Sequence, residues 1–236
     1  MCNEACIDFG RRHLRDDDVR GRAVLEVGSL DSNGSLRPFL EAMGPRTYLG
    51  VDIRSGPGVD EICPAEDLVE RLGVERFDLL VSTELLEHVR DWRKVISNFK
   101  RLLTADGILL ITTRSYGFPY HGSPGDYWRY EPEDLRAILA DLTVDVLEPD
   151  PLAPGVFVRA RKPREFEEVD LKAYRLYSMV AKRRVRDVTR IRIVALHLRR
   201  RVEAVMGRVL PSGVKAAIRR WIPEGPRTGE PRAPDR

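Results

Sequence analysis

Small and acidic residues follow the first apolar run of the chain, which covers residues 23–29. In the segment LEVGSLDSNGS, Gly28 and Gly34 allow a sharp turn, so that backbone N–H groups could approach a ligand. Glu26 lies within the apolar run, which is an unusual position for a charge unless the carboxylate meets a polar group. The segment is typical of a ligand-binding turn, although many α/β proteins also turn on glycine.

A second carboxylate, Asp52, ends the next apolar run, TYLGVDI over residues 47–53. A carboxylate in this position can accept hydrogen bonds from both hydroxyls of a ribose. Its separation from Gly28 matches one strand–helix–strand unit. Taken alone, Asp52 is equally well explained as a turn residue or a helix cap.

Two further polar sites follow apolar runs. Glu66 or Asp67 could accept a hydrogen bond from the exocyclic amine of an adenine, but a charged first helical turn is the simpler explanation. Glu84 and His88 follow FDLLVST (residues 77–83) and are four positions apart, so they share one face if this segment is helical. Ligands of α/β sheets bind beyond the carboxyl ends of strands, and therefore we expect these residues at one site.

Alternating strands and helices are needed to position these residues. Apolar runs predict strands at 23–29, 47–53, 77–83, 108–113, 143–149 and 155–163. Helical spacing and capping residues predict helices at 35–43, 64–73, 91–107 and 131–142. This order implies a doubly wound, mainly parallel sheet, and the two consecutive strands at its end fit closure by one antiparallel strand.

The blocks VLEVGS, YLGVDI, FDLLVSTELLEHVRDW and VISNFKRLLTADGILLITT resemble class I methyltransferases of the type 11/23 group. The resemblance covers about residues 20–160 and implies a Rossmann-like, seven-stranded, mostly parallel sheet that binds S-adenosylmethionine. By position it assigns the methionine part to the segment 26–34, the ribose to Asp52, and a place close to the cofactor to Glu84. The candidate cofactor-binding residues are Glu26, Gly28, Ser29, Asp31, Gly34, Asp52, Glu66 and Glu84. The family's usual G-x-G-x-G loop reads G-S-L-D-S-N-G here, which leaves the individual contacts open.

The segment TRSYGFPYHGSPGDYWRYEPEDL, after the strand at 108–113, is too long and aromatic for a simple connection. In similar enzymes this segment covers the methyl group. His121 is the candidate general base, because an imidazole can take a proton from a hydroxyl near neutral pH. In-line methyl transfer can also proceed by positioning alone. The candidate substrate-binding residues are Tyr120, Asp126, Tyr127 and Arg129, and the alternative for Asp126 and Arg129 is an ion pair that locks the segment.

The acceptor is predicted mainly by exclusion. No N-P-P-Y or D-P-P-Y tetrapeptide follows residues 77–83, which argues against methylation of exocyclic amines of DNA bases. The lack of a cysteine in a nucleophile-like loop argues against C5-pyrimidine chemistry. We therefore expect methylation of a hydroxyl of a small molecule, sugar or glycan. The alternatives are an RNA methyltransferase, a SAM-binding partner protein without catalysis, and a dehydrogenase, which the missing G-x-G-x-x-G disfavours.

The charge distribution predicts a separate C-terminal region. Residues 1–160 carry a net charge of −9, whereas residues 161–236 carry +12. We expect a catalytic domain over 1–163, a basic helical extension over 164–222 and a disordered tail over 223–236. The extension could bind nucleic acid through phosphates, or pack on the core, or lie on an anionic membrane through Val214, Ile218 and Trp221.

Cysteine content and hydropathy indicate whether disulfides, a zinc site or a membrane-spanning segment are expected. The three cysteines do not form a disulfide framework, and without a second pair they do not predict zinc, so no metal is expected. No apolar run of about 18 residues is present. The expected localisation is cytoplasmic, with peripheral membrane attachment if the extension binds a membrane.

Overall fold

In the computed structural model, residues 3–122, 125–196 and 198–199 are described, and they form one large and one small β-sheet. The strands of the large sheet are β1 (Ala23–Val27), β2 (Thr47–Asp52), β3 (Glu61–Ile62), β4 (Phe77–Thr83), β5 (Leu103–Arg114), β7 (Thr143–Pro149) and β8 (Gly155–Arg161). The strands of the small sheet are β6 (Trp128–Arg129), β9 (Leu176–Ser178) and β10 (Arg183–Val185). The helices are α1 (Glu4–His13), α2 (Asp16–Val19), α3 (Arg37–Ala42), α4 (Leu68–Leu72), α5 (Trp92–Leu102) and α6 (Pro132–Ile138), and 3₁₀ turns cover Ala65–Asp67 and Leu86–His88.

The strand order of the large sheet is β3-β2-β1-β4-β5-β8-β7. The first five of these strands pair in parallel, whereas β8 is antiparallel to both β5 and β7. The predicted Rossmann-like sheet with one antiparallel strand is confirmed. The order reverses between β1 and β4, so a crevice opens at their carboxyl ends, where ligands of such sheets bind.

The core forms where apolar strand faces meet amphipathic helices. Every residue of β1 is buried, and α5 buries Val95, Ile96, Phe99 and Leu102 against the sheet. Asp91 begins α5 by accepting a hydrogen bond from the Lys94 N–H at 3.2 Å. The helix ends at Leu102, five residues earlier than predicted. Strand β5 begins at Leu103, whereas the predicted strand begins at residue 108.

The N-terminal helix α1 was not predicted from the sequence. The Asn3 side chain begins it by accepting from the Cys6 N–H at 3.0 Å. Phe9 is fully buried and its ring lies 5.3 Å from the ring of Phe157 in β8. The helix therefore covers one face of the large sheet.

The predicted helix over 164–222 is wrong for its first part. Leu176–Ser178 and Arg183–Val185 are strands, and β9 lies between β6 and β10 in antiparallel pairing. Residues 1–188 form one compact unit, and helical residues begin at 190 in a second unit. Long-range pairing with β6 outweighs the local helical pattern here.

Residues 197 and 200–222 of the predicted extension, the tail and the three proposed membrane-binding residues lie outside the described residues. Among the helices that the structure describes, none is long and apolar enough to cross a bilayer.

Replacement of Phe9 tests whether α1 is part of the cooperative core. We expect Phe9→Ala to lower the free energy of unfolding by about 3–5 kcal/mol, because it leaves a cavity against Phe157. Urea unfolding followed by circular dichroism measures the change. The partly exposed Phe166 provides the control, since Phe166→Ala should cost clearly less. Equal, small losses in the two variants would mean that α1 does not contribute to the folded core.

Candidate active site

A cleft of ≈ 1080 Å³, counted to its open mouth, lies at the carboxyl ends of β1, β2 and β4. It is concave and combines apolar walls with a few polar groups, as ligand sites of proteins do. The predicted cofactor-binding residues that line it are Glu26, Gly28, Ser29, Gly34, Asp52, Glu66 and Glu84. Asp31 is outside the lining; its Oδ1 accepts from the Gly34 N–H at 2.9 Å and so shapes the loop.

The turn after β1 uses its backbone N–H groups within the protein. The N–H groups of Gly28 and Ser29 both donate to the Val51 carbonyl, at 2.9 and 3.1 Å. These two N–H groups therefore bond within the protein. Glycine is required at position 28 for another reason: its φ is +81°, and a Cβ would lie 3.3 Å from Leu85.

Glu26 is a buried acceptor at the inner end of the cleft. Its carboxylate accepts hydrogen bonds from the Tyr48 hydroxyl at 2.7 Å and from Ser35 Oγ at 3.4 Å. Burial raises the pKa of Glu26 to about 7, although these two hydrogen bonds act in the opposite direction. Glu26 can therefore hold or release a proton near neutral pH.

The loop after β2 is tied to the turn after β1, because the Asp31 N–H donates to the Pro57 carbonyl at 2.9 Å. Asp60 accepts from the Gly50 N–H at 2.7 Å and from Arg37 Nη1 at 2.8 Å. A Cβ at Gly50 would lie 2.2 Å from the Gly58 carbonyl oxygen, so the loop packs directly on the strand backbone. Asp52 Oδ1 accepts from the Arg54 N–H at 3.0 Å.

The turn that carries Glu66 is held by Asn98, a residue that the sequence analysis missed. Its Nδ2 donates to the carbonyls of Ala65 and Glu66 at 2.9 and 2.8 Å. Asn98 is buried on the apolar face of α5. A polar residue on such a face was the available signal, because buried amides require hydrogen-bond partners.

Glu84, at the end of β4, has a φ of +54°, which is uncommon for a residue other than glycine. Its N–H donates to the Thr112 carbonyl at 2.9 Å, and its buried carboxylate pairs with Arg114. Arg114 also pairs with Asp150 at 2.8 Å. Sequence reasoning missed Arg114, although a charge at the end of the apolar strand ILLITTR could have indicated it.

The aromatic segment after β5 is anchored on the turn Leu86–His88, which borders the cleft through His88. The Tyr127 N–H donates to the Glu87 carbonyl at 2.8 Å, and the Tyr130 hydroxyl donates to the Leu86 carbonyl at 3.2 Å. The Trp128 indole donates to the Val89 carbonyl at 3.0 Å. The structure therefore brings the predicted acceptor segment beside the cofactor cleft. Tyr120 and Tyr127 remain partly exposed there.

His121 lies between two buried carboxylates. Its Nδ1 is 3.2 Å from Asp126 Oδ2, and its Nε2 is 3.7 Å from Glu87 Oε1. Burial lowers the pKa of His121, but the hydrogen bonds and charges of Asp126 and Glu87 outweigh it and raise the pKa to about 9. Arg129 Nη2 donates to Asp126 Oδ2 at 2.8 Å, and both side chains are fully buried. Of the two interpretations of Asp126 and Arg129, this geometry favours the locking ion pair.

The chain matches a known protein family over most of the catalytic domain expected from the sequence. Residues 3–140, more than half of the chain, match the family model described as a methyltransferase domain. The chain belongs to this family, and the resemblance identified from the sequence is confirmed. No curated protein matches the sequence significantly.

Solved structures share the fold at low sequence identity. An S-adenosylmethionine-dependent methyltransferase from Mesorhizobium loti is 17% identical, with a TM-score of 0.54 and coverage of 68% of this chain and 99% of that chain. The 1,6-didemethyltoxoflavin-N1-methyltransferase of Burkholderia thailandensis, solved with its substrate and S-adenosylhomocysteine, is 22% identical, with a TM-score of 0.52 and coverage of 68% and 80%. Phosphoethanolamine N-methyltransferase 1 of Haemonchus contortus is 15% identical, with a TM-score of 0.55 and coverage of 71% and 44%.

The raised pKa of Glu26 predicts a pH dependence of stability. Its ordinary pKa is 4.5 and its folded-state pKa is about 7, so the folded protein keeps a proton that the unfolded chain releases. The free energy of unfolding should therefore fall as pH rises from about 4.5 to 7, by about 3 kcal/mol at most from this group. Glu26→Gln should remove this decrease.

Urea unfolding of wild type and Glu26→Gln at pH 5 and pH 8 measures the difference. Glu70→Gln is the control, because Glu70 is exposed. The same loss of stability in wild type and Glu26→Gln would contradict the prediction.

Proposed function

We propose that this protein transfers a methyl group from S-adenosylmethionine to a hydroxyl of a small molecule, sugar or glycan. The cofactor is the methyl donor that the related enzymes use, and the cleft provides a place for it. One observation carries the acceptor part of the proposal. The aromatic segment 115–130 is anchored on the turn Leu86–His88, which borders the cofactor cleft.

In this proposal Asp52 holds the ribose hydroxyls, the turn 65–67 contacts the adenine, and the loop 28–34 surrounds the methionine part. The support for this arrangement is that each group ends or follows a strand at the same crevice. The buried Glu26 carboxyl is the acceptor available to a polar group at the inner end of the cleft.

Bound S-adenosylmethionine supplies an electrophilic methyl group on a sulfonium. The protein's own contribution is to align the acceptor oxygen with that methyl group and to exclude water. In this proposal Tyr120 and Tyr127, which are partly exposed beside the cleft, form walls of the acceptor pocket. His121 is the candidate group that takes the hydroxyl proton, since its ring packs 4.7 Å from the ring of His88 at the cleft wall. Because its pKa is about 9, only its neutral fraction can act, and this fraction grows as pH rises toward 9.

We propose a hydroxyl rather than a nitrogen atom as the methyl acceptor, although two of the structural neighbours are named N-methyltransferases. The sequence supports a hydroxyl through the missing D-P-P-Y-type tetrapeptide and the segment rich in histidine and tyrosine. A neutral hydroxyl must lose a proton on methylation, so a nearby proton acceptor has a role that a free amine would not require.

Cofactor binding is the first test. We expect titration calorimetry with S-adenosylhomocysteine to show binding to wild type and an affinity about 10–100-fold weaker for Asp52→Ala, because two hydrogen bonds to a carboxylate are lost. Asp17→Ala is the matched control, since Asp17 is exposed on α2. Absence of binding to folded wild-type protein would overturn the proposed function.

The role of His121 is tested by turnover. Once a screen of glycosides and hydroxylated metabolites yields an acceptor, we expect His121→Ala to lower kcat by about 10²–10⁴-fold. Its affinity for S-adenosylhomocysteine should not change. His13→Ala, at a surface histidine that pairs with Glu148, is the control. Unchanged turnover in His121→Ala would remove the proton-transfer role and leave catalysis to positioning.

A further inference from the structure

Glu87, His88 and His121 form a cluster that the sequence analysis did not anticipate. Glu87 and His88 belong to the turn Leu86–His88, and His121 comes from the acceptor segment. One donor atom from each of the three lies within 4.8 Å of the others. Glu87 Oε1 is 3.8 Å from His88 Nε2 and 3.7 Å from His121 Nε2.

Both imidazoles are oriented by their other nitrogen. His88 Nδ1 bonds to the Gly125 carbonyl oxygen, which can only accept, so this nitrogen carries the proton. His121 Nδ1 faces two acceptors, Asp126 Oδ2 at 3.2 Å and the Pro119 carbonyl oxygen at 3.4 Å. In the neutral rings the lone pair is therefore on Nε2, and both Nε2 atoms face Glu87. Histidine ligands of metals are oriented by partners of this kind.

The side chain of Glu87 is suited to be the third ligand. Its side chain is completely buried, and Oε2 accepts from the Thr113 hydroxyl at 2.8 Å. Among the described residues, Oε1 has no hydrogen-bond partner. Its nearest polar neighbours are the two imidazole Nε2 atoms, at 3.8 and 3.7 Å, and a cation between them and Oε1 would satisfy this buried oxygen more closely.

We propose that Glu87 Oε1, His88 Nε2 and His121 Nε2 bind a divalent first-row metal ion such as Zn²⁺. Two imidazoles and one carboxylate suit Zn²⁺, Co²⁺ or Fe²⁺ better than Mg²⁺ or Ca²⁺, which prefer oxygen donors. Donors bound at about 2.1 Å to one ion lie about 3.0–3.5 Å apart, so small rotations of the side chains complete the site.

The site borders the cofactor cleft, because His88 also lines that cleft. Three protein ligands leave a coordination position for a water or an acceptor oxygen. The inference concerns metal binding as such and holds whichever molecule is methylated. It replaces the proton-acceptor role of His121, since a ring with a proton on Nδ1 and a metal ion on Nε2 has no lone pair for the hydroxyl proton.

The test uses untagged, full-length protein treated with EDTA and dialysed. Titration with Co²⁺ followed by visible absorption should show one ion per chain, in the site formed by the two histidines and the carboxylate. Calorimetry with Zn²⁺ should show the same stoichiometry, and Mg²⁺ should bind at least about 10-fold more weakly than Zn²⁺.

Two variants each remove one of the proposed ligands. Glu87→Gln keeps the volume and the partner Thr113, and His121→Ala truncates a side chain that is partly exposed. Each should weaken Co²⁺ binding by at least about 10-fold, whereas His13→Ala should bind as wild type does. Asp126→Asn removes the carboxylate that orients His121 and also breaks the buried pair with Arg129; if it folds, it should weaken binding by about 10–100-fold. Circular dichroism of each variant verifies its fold.

No stoichiometric binding of Co²⁺ or Zn²⁺ to folded wild type would overturn the proposal. Unchanged Co²⁺ affinity in both Glu87→Gln and His121→Ala would overturn it as well, because the ion would then bind elsewhere. S-adenosylhomocysteine binding is measured on the same samples. A protein that binds the cofactor but not the metal refutes this inference alone, and one that binds the metal but not the cofactor refutes only the proposed function.

Discussion

The ion pair between Glu84 and Arg114 is the constraint on which the site depends. Both side chains are buried, and Arg114 also pairs with Asp150, which accepts a hydrogen bond from Asn3. The pair joins the ends of β4 and β5 to the start of α1 and to the residue after β7. Removal of one partner would leave an uncompensated buried charge, which costs about 3–5 kcal/mol. The network thus holds the strand ends that form the cleft in one arrangement, and it explains why the unpredicted N-terminal helix belongs to the domain.

The turn Leu86–His88 couples the cofactor side to the acceptor side. One of its faces borders the cleft, and its backbone carbonyls accept from Tyr127 and Tyr130 of the acceptor segment. Glu87 and His88 on this turn meet His121 from the segment. A change in the position of this turn would therefore displace the cofactor wall, the acceptor segment and the proposed metal ligands together. This shared anchoring favours a site that is formed in advance rather than one assembled by a mobile cover.

Much of the fold and of the cofactor site could be predicted because the relevant signals are local. Apolar runs located six strands of the large sheet, and the rule that ligands bind at the carboxyl ends of strands grouped seven of the eight cofactor candidates in one cleft. Errors arose where non-local contacts decide. Residues 176–178 and 183–185 have a helical pattern but form strands, because β9 pairs with both β6 and β10. Asp31 shapes its loop and is outside the lining.

The sequence by itself determined the family, the order of strands and helices and the place of the cleft, because hydrophobic periodicity and the turn residues act over a few neighbouring positions. Only the tertiary structure decided which charges meet. The partners of His121 are Glu87, which is 34 positions earlier in the chain, and Asp126; the partner of Glu84 is Arg114. Such pairs form because buried charges must be compensated by whichever groups the fold brings near. A pattern of single residues does not contain that information, and for this reason the cluster of two histidines and one carboxylate became visible only in three dimensions.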